Sequence, residues 1–221
     1  MLIRKAVIGL LALTCFGSGV VLAETAAKPK KPAMTATAPA GVSAQEAVDR
    51  ADAYFNAAQT MVANFVQIGA DGTRSEGEVY VQKPGHLRFE YDPPAKIQIT
   101  ADGTSLAIKD VKLMKQDLYF ISQTPLKFLL QDHIDLATDT KVLGVNSDAS
   151  TTSIQVEDSA TFGGTSRITL IFDTATFQLR QWVVTDPQGF DTTVSLFNVD
   201  LATRPDPSLF VIDERLGGTR K

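Results

Sequence analysis

From residue 60 onward, apolar and polar residues alternate in short runs, which is the period of strands with one buried face. The segment 79–91 shows this best, because two alternating runs flank Lys83-Pro84-Gly85. Asp-Gly pairs at 71–72 and 102–103 are typical of hairpin turns. The pattern predicts strands at 61–68, 76–82, 87–91, 97–101, 106–109, 113–121, 141–147, 152–157, 167–173, 177–185 and 190–200.

Two segments have helical patterns instead. Ser43 and Glu46 fit a capping box, and apolar residues then recur at spacings of three and four, which predicts an amphipathic helix from 43 to about 60. Thr124-Pro125 suits the start of a second helix, and 125–131 is apolar on nearly every side. A helix of that kind must be buried or must cover an apolar opening.

The N-terminal residues 1–23 are typical of a secretory signal peptide. Arg4 and Lys5 precede an apolar stretch at 7–20, and small residues lead to Ala23. That stretch is shorter than the roughly 20 residues that a membrane span needs, although a retained anchor and lipidation at Cys15 are alternatives. Residues 24–42, rich in Ala, Pro and Lys, predict a disordered linker, so that 43–221 forms a single exported domain.

Charge and cysteine content narrow the class of protein. The formal charge is −4, and loss of the two positive charges of Arg4 and Lys5 leaves about −6. An acidic chain of this kind argues against nucleic acid as a partner and against electrostatic adhesion to anionic membranes. Cys15 is the only cysteine, so the exported domain is expected to fold without disulfides.

The sequence contains no plausible catalytic or metal-binding cluster. His86 and His133 lie far apart without metal-ligand neighbours, and the aspartates at 71, 102, 173 and 186 fit turn geometry. We therefore expect a protein that is not an enzyme and that uses no cofactor or metal. A hydrolase built from scattered carboxylates is the alternative from a different class.

Apolar residues on the strands and helices are candidates for one concave surface. Such a surface suits an acyl chain, which needs a dry apolar pocket with few polar groups; an ordinary packed core is the other interpretation. In the second half, alternation places Phe177, Leu179 and Val183 on one face and Trp182 and Val184 on the other. The candidate acyl-chain residues are Phe55, Phe65, Val79, Val81, Leu87, Phe89, Tyr91, Ile97, Ile99, Leu106, Ile108, Leu126, Leu129 and Leu130.

Several short motifs, in order and at characteristic spacing, resemble the LolA family of periplasmic lipoprotein carriers. They are Phe65-Val66-Gln67, 77–85, 87–91, Ala101-Asp102-Gly103, Thr124-Pro125 followed by Leu129-Leu130, and 173–186. The resemblance implies an α+β fold, mainly β: an unclosed antiparallel β-barrel with a helical lid over an apolar cavity. It also implies a monomeric periplasmic chaperone for lipoproteins. Such a chaperone takes up lipoprotein acyl chains from an inner-membrane ABC release complex and delivers them to an outer-membrane receptor.

Lys83 departs from the family pattern, which often has Arg before this Pro, thought to bond the lid helices. Lysine keeps the charge but loses the planar fork of donors. Lys83 is therefore our candidate for lid control, and a solvated turn lysine is the other interpretation. Arg88 is a doubtful substitute, because alternation with Leu87 and Phe89 points it to the opposite, solvated face.

Two other functions fit the same fold, because a fold does not fix its ligand. One is a carrier of a different lipid or of a glycolipid. The other is an envelope-stress sensor or structural protein whose cavity is filled by its own side chains.

Overall fold

The computed structural model describes residues 41–213 and 219–220. The described helices are α1 (Ala44–Ala57), α2 (Lys127–Leu130) and α3 (Leu136–Asp139), with 3-10 turns at Ile121–Gln123 and Pro207–Phe210. The described strands are β1 (Thr60–Ile68), β2 (Arg74–Gln82), β3 (His86–Tyr91), β4 (Ile97–Asp102), β5 (Ser105–Asp110), β6 (Lys115–Phe120), β7 (Lys141–Ser147), β8 (Thr151–Asp158), β9 (Ser166–Asp173), β10 (Leu179–Thr185), β11 (Asp191–Asp200) and β12 (Thr219–Arg220).

All these strands belong to one sheet with the order β12-β6-β5-β4-β3-β2-β1-β11-β10-β9-β8-β7. Two antiparallel meanders, β1 to β6 and β7 to β11, are joined where β1 pairs with β11. The short β12 runs parallel to β6 at one edge, while β7 forms the other edge. This unclosed antiparallel sheet with a few short helices confirms the predicted fold class.

The sheet curls strongly, as ring contacts across it show. In the strand order, β3 and β10 are separated by β2, β1 and β11, so a flat sheet places them about 19 Å apart. The Phe89 ring on β3 nevertheless lies 6.5 Å from the Trp182 ring on β10, centroid to centroid. The inner face of the curl holds the hydrophobic core, which takes residues from both meanders.

The helices lie on that inner face for a topological reason. Because β6 lies next to β12 at one edge of the sheet and β7 forms the other edge, the connection 121–140 must cross from one side of the sheet to the other. It carries α2, whose Phe128, Leu129 and Leu130 are all buried, and then α3. Helix α1 packs beside them, in contact with α3, β7 and β8.

Most predicted elements lie within two residues of the observed ones. Ser43 caps α1 as expected, its hydroxyl accepting from the Glu46 amide at 3.3 Å. The second helix is shorter than predicted, because Thr124 closes the preceding 3-10 turn by donating to the Ile121 carbonyl at 2.9 Å. Helix α3, the 3-10 turns and β12 were not predicted; the predicted signal peptide and linker residues 24–40 lie outside the described residues.

The predicted alternation along β10 is wrong at its start. The pattern places Leu179 and Trp182 on opposite faces, yet both are buried in the same core. The register with β9 shifts between Leu179 and Gln181, and Arg180 remains exposed. An extra residue in one strand reverses the facing of everything after it, and a period-two pattern does not reveal it.

A candidate apolar cavity and its closed end

A cavity of about 450 Å³ lies between the inner face of the sheet and the start of the crossing segment. Its walls come from β3 to β6 on one side, β10 and β11 on the other, and residues 123–126 above. This volume falls within the range of ligand pockets, roughly 300 to 1,000 Å³. The cavity is therefore large enough for a ligand and is lined mainly by apolar side chains.

Part of the predicted acyl-chain set lines this cavity, and the rest lies beside it. The lining members are Phe89, Tyr91, Ile97, Ile99, Leu106, Ile108 and Leu126. The others are fully packed in the adjacent core: Phe55, Phe65, Val79, Val81, Leu87, Leu129 and Leu130. Alternation along a strand identifies the inner face, but it does not tell which inward residues border empty space.

Trp182 is the most informative lining residue outside the predicted set. It is 1% exposed, and its ring centroid lies 6.0 Å from that of Phe128 on α2. The indole therefore separates the cavity from the core beneath α2. Val184 and Val194 extend the same wall. The sequence could have indicated Val184, because alternation places it on the same face as Trp182.

The cavity opens at one end of the sheet. Its exposed lining residue Ile97 begins β4 next to the β3–β4 turn, and Phe162, Pro187 and Gln188 lie in the turns β8–β9 and β10–β11. Alternate turns of an antiparallel meander lie at the same end, which we call the open end. The turns β2–β3 and β4–β5 lie at the other, the closed end.

Tyr91 lies on the cavity wall, and its polar hydroxyl is hydrogen-bonded to another side chain. Its hydroxyl donates to Gln67 Oε1 at 2.9 Å. Burial raises the pKa of Tyr91 to about 12. The phenol is therefore neutral near pH 7 and already hydrogen-bonded, so it presents its ring to the cavity.

Lys83 occupies the closed end, with 8% of its surface exposed. Its Nζ donates to the Phe55 carbonyl at 2.6 Å. That carbonyl belongs to the last turn of α1, where helix oxygens lack helical partners and a cation is favourable. Burial lowers the pKa of Lys83 to about 8, an effect that the Asp132 carboxylate partly offsets.

The backbone around Lys83 joins the ends of two helices. The Lys83 amide donates to the Gln59 carbonyl at 2.9 Å, and the Gly85 amide donates to the Leu130 carbonyl at 2.8 Å. Gly85 has φ +76, and a Cβ at this position meets Gly103 Cα at 2.6 Å, so only glycine fits. The turn 83–85 thus holds the end of α1 and the end of α2.

Side chains of α1 hold the segment that follows α2. Asn56 donates to the Ile134 carbonyl and accepts from the Ile134 amide, both at 2.9 Å. Asp52 accepts from the Leu136 amide at 3.0 Å, and burial raises the pKa of this carboxyl. Helix α1 is therefore hydrogen-bonded to the crossing segment on both sides of residue 135.

A buried ion pair holds the start of α2. Lys127 Nζ lies 2.9 Å from Asp158 Oδ2 at the end of β8, and Asp158 is only 3% exposed. The other oxygen of Asp158 accepts from the Ala160 amide at 3.0 Å. Helix α2 is thus held at its start by this pair and at its end by Gly85.

Arg88 lies on the outer face, as alternation predicted. Its guanidinium lies 3.4 Å from Thr100 Oγ1 and 3.5 Å from the Leu209 carbonyl. The segment 207–210 covers it there, so Arg88 contacts the C-terminal part of the chain and not the helices.

Neither a metal site nor a membrane-spanning helix is found in the part of the chain that the structure describes. No group of three or more His, Cys, Asp or Glu side chains within residues 41–213 is arranged to hold a metal ion. None of the helices in this range has the length and apolar character needed to cross a bilayer.

The fold and the cavity together define a class: a curled antiparallel sheet that holds an apolar, ligand-sized space under short helices. A family model described as outer membrane lipoprotein carrier protein LolA matches residues 56–213. The chain belongs to the LolA family, which confirms the resemblance seen in its motifs.

Individual relatives match more locally. Outer-membrane lipoprotein carrier proteins from Legionella pneumophila strains Corby and Paris are each 42% identical over 62 residues, 26% of this chain. The match spans 31% of the length of these relatives.

Solved structures match over more of the chain at low identity. A LolA superfamily protein from Nitrosomonas europaea is 13% identical, with a TM-score of 0.44, covering 77% of this chain and 98% of that one. An uncharacterized conserved protein from Thermus thermophilus is 12% identical, with a TM-score of 0.45, covering 81% and 100%.

Proposed function

We propose that this protein is a periplasmic chaperone that binds lipoprotein acyl chains in the cavity and carries lipoproteins from the inner to the outer membrane. Membership of the LolA family supports this proposal. The single observation that carries it is the cavity of about 450 Å³ with its apolar walls. The role needs no covalent chemistry and no cofactor.

The distribution of polar groups supports an acyl chain as the ligand. Most polar lining residues come from the open end, namely Gln67, Thr161, Asp186, Gln188 and Thr192. Deeper walls, such as Phe89, Leu106 and Trp182, are apolar. Each methylene moved from water into such walls contributes about 0.8 kcal/mol, so a lipid tail gains stability with depth while its polar linkage stays at the opening.

Movement of α2 extends the space. The packed members of the acyl-chain set include Phe55, whose ring contacts Phe128 of this helix, and Leu129, which belongs to the helix itself. Displacing α2 joins their site to the existing cavity and makes room for further chains. Lys83 and the turn 83–85 control this step, because they bond the ends of α1 and α2.

The partners in this role are lipoproteins, an inner-membrane ABC release complex that supplies them and an outer-membrane receptor that accepts them. The carrier acts as a monomer, with one cargo molecule per chain.

A release assay tests the proposal. Spheroplasts with newly made outer-membrane-type lipoprotein are incubated with the protein beginning at Glu24, which contains every described residue. Soluble lipoprotein that co-purifies with it one to one is the expected result. Val184→Asp, which puts a carboxylate into the cavity, should abolish release, and Val183→Asp on the other face of the same strand should not.

Two results contradict the proposal. A bound lipid in the native mass without lipoprotein release indicates a carrier of a different lipid or of a glycolipid. Neither release nor bound lipid indicates a non-carrier, such as a stress sensor with the same fold.

A further inference from the structure

The turn between β5 and β6, at the open end, exposes a cluster of apolar side chains. Val111, Leu113 and Met114 are 48%, 62% and 52% exposed. Leu113 and Met114 do not line the cavity, so a ligand inside it does not explain them. Large exposed apolar side chains grouped at a turn tip mark an interaction surface. We call residues 111–114 the apolar tip.

The backbone of this turn is held by its own residues. Asp110 Oδ1 accepts from the amides of Lys112 and Leu113 at 2.9 and 2.7 Å. The Val111 amide donates to the Lys96 carbonyl at 2.7 Å, which ties the tip to the β3–β4 turn. The apolar side chains therefore project from a turn whose amide groups are already hydrogen-bonded.

Lysines surround the apolar tip. Lys112 and Lys115 lie within or next to it, Lys109 precedes it on β5, and Lys96 lies in the adjoining turn. Against these four lysines, residues 92–96 and 109–115 contain only Asp92 and Asp110, so the two segments carry a net charge of +2. The whole chain carries −4. Glu90, which lines the same groove as Lys96 and Lys112, lowers the local charge to +1, so this part of the open end is positive on a negative chain.

We infer that the apolar tip docks on the surface of an anionic lipid bilayer. An anionic bilayer presents negative headgroups above an apolar layer, and the tip presents the complement: apolar side chains at its apex and lysines behind them. Lysine stems lie along apolar surface while their ammonium groups reach the phosphates. The overall acidity of the chain opposes adhesion elsewhere, so only this end approaches the membrane, and the cavity opening faces the bilayer.

This docking goes beyond the carrier role and does not depend on it. It is tested first with a fluorophore at the tip. The chain from Glu24 onward contains no cysteine, so Leu113→Cys accepts a single environment-sensitive nitrobenzoxadiazole label. Val211→Cys, at a residue that is 69% exposed in the C-terminal segment, is the matched control.

With vesicles of phosphatidylethanolamine and phosphatidylglycerol, the label at 113 should shift to the blue, and the label at 211 should not. Vesicles of phosphatidylcholine alone should produce a much smaller shift at 113. No shift at 113 with anionic vesicles, or equal shifts at the two positions, overturns the proposal and leaves the tip as a contact for a protein partner.

A second measurement separates the apolar from the charged contribution. In vesicle co-sedimentation, Leu113→Ser should weaken binding about tenfold. Lys112→Gln with Lys115→Gln should weaken it about fivefold per lysine at low salt and less at high salt. Phe197→Ser and the double change Arg180→Gln with Arg204→Gln are the matched controls, since they remove an exposed aromatic residue or two charges elsewhere.

The controls and the cavity variant Val184→Asp should bind vesicles as the parent protein does. Equal losses in the control and tip variants overturn the proposal. Circular dichroism and the urea unfolding midpoint verify that each variant is folded, so that a loss of binding refers to the tip.

Discussion

The two ends of the curled sheet differ in how their apolar surface is covered. At the closed end, Phe55 packs edge-to-face against Phe128 and Phe172, and Lys83 and Gly85 bond the ends of two helices. At the open end, Ile97 and Phe162 border a cavity and remain partly exposed. The same antiparallel pairing continues through both ends. The difference therefore comes from α1 and α2, whose ends cover the inner face at the closed end and leave the cavity beyond them unfilled.

This contrast indicates that the two ends of the sheet have different roles. Packing at the closed end stabilises the sheet and fixes α1 and α2, while the open end keeps apolar surface available for a ligand. A protein that holds a lipid tail needs a packed region and a cavity. A fully packed interior has no room for the tail, and a protein without a packed core does not fold.

The largest expected effect is on stability at the closed end. Phe55→Ala removes a fully buried ring and should lower the free energy of unfolding by about 3 to 5 kcal/mol. Ile97→Ala at the open end should cost only about 1.5 kcal/mol, because 39% of that residue is already exposed to solvent. Urea unfolding of both variants gives the comparison, and similar losses contradict the contrast between the ends.

Neighbouring carboxylates on β8 provide the next test. Lys127→Ala leaves Asp158 buried without its cation and should destabilise the protein by about 3 kcal/mol. Lys141→Ala removes the partner of the adjacent Glu157, but Lys141 is mostly exposed, so this change should cost less than about 1 kcal/mol. Equal costs in urea unfolding are evidence that the Lys127–Asp158 pair does not hold α2.

Lys83 should produce a smaller effect that depends on pH. Its pKa is about 8 when folded and 10.5 in the unfolded chain, so the unfolded chain binds more protons between these values. Stability contributed by this residue should therefore rise as pH increases through that window. The difference in unfolding free energy between the parent protein and Lys83→Met, measured from about pH 7 to about pH 10, should increase with pH. A constant difference means that Lys83 titrates as it does in the unfolded chain.

Much of the fold could be predicted because its signals are local. Alternation located the strands from Met61 to Asp200, and Ser43 with Glu46 located the start of α1. The bulge at Arg180 depends on pairing with β9, so the pattern gave the wrong facing at the start of β10. The end of the 3-10 turn at Thr124 depends on one side-chain bond, so the pattern started the second helix too early.

The sequence predicts which side chains face inward, but it does not predict which of them border the cavity. Leu87 and Phe89 have the same orientation on β3, yet Phe89 borders the cavity and Leu87 does not. That difference depends on where α2 stops filling the inner face. The position of Lys83 next to Pro84 was visible in the sequence, but its bond to the Phe55 carbonyl, 28 residues earlier, required the fold.

The central claim is that the cavity at the open end holds acyl chains, and Trp182 tests it directly. Trp182 is the only tryptophan of the chain and lies between the cavity and the core. A lipopeptide whose acyl chains carry bromine should quench its fluorescence with one-to-one saturation, and an unbrominated lipopeptide should not. Binding in native mass spectrometry with no bromine-dependent quenching would place the acyl chains elsewhere and contradict the account.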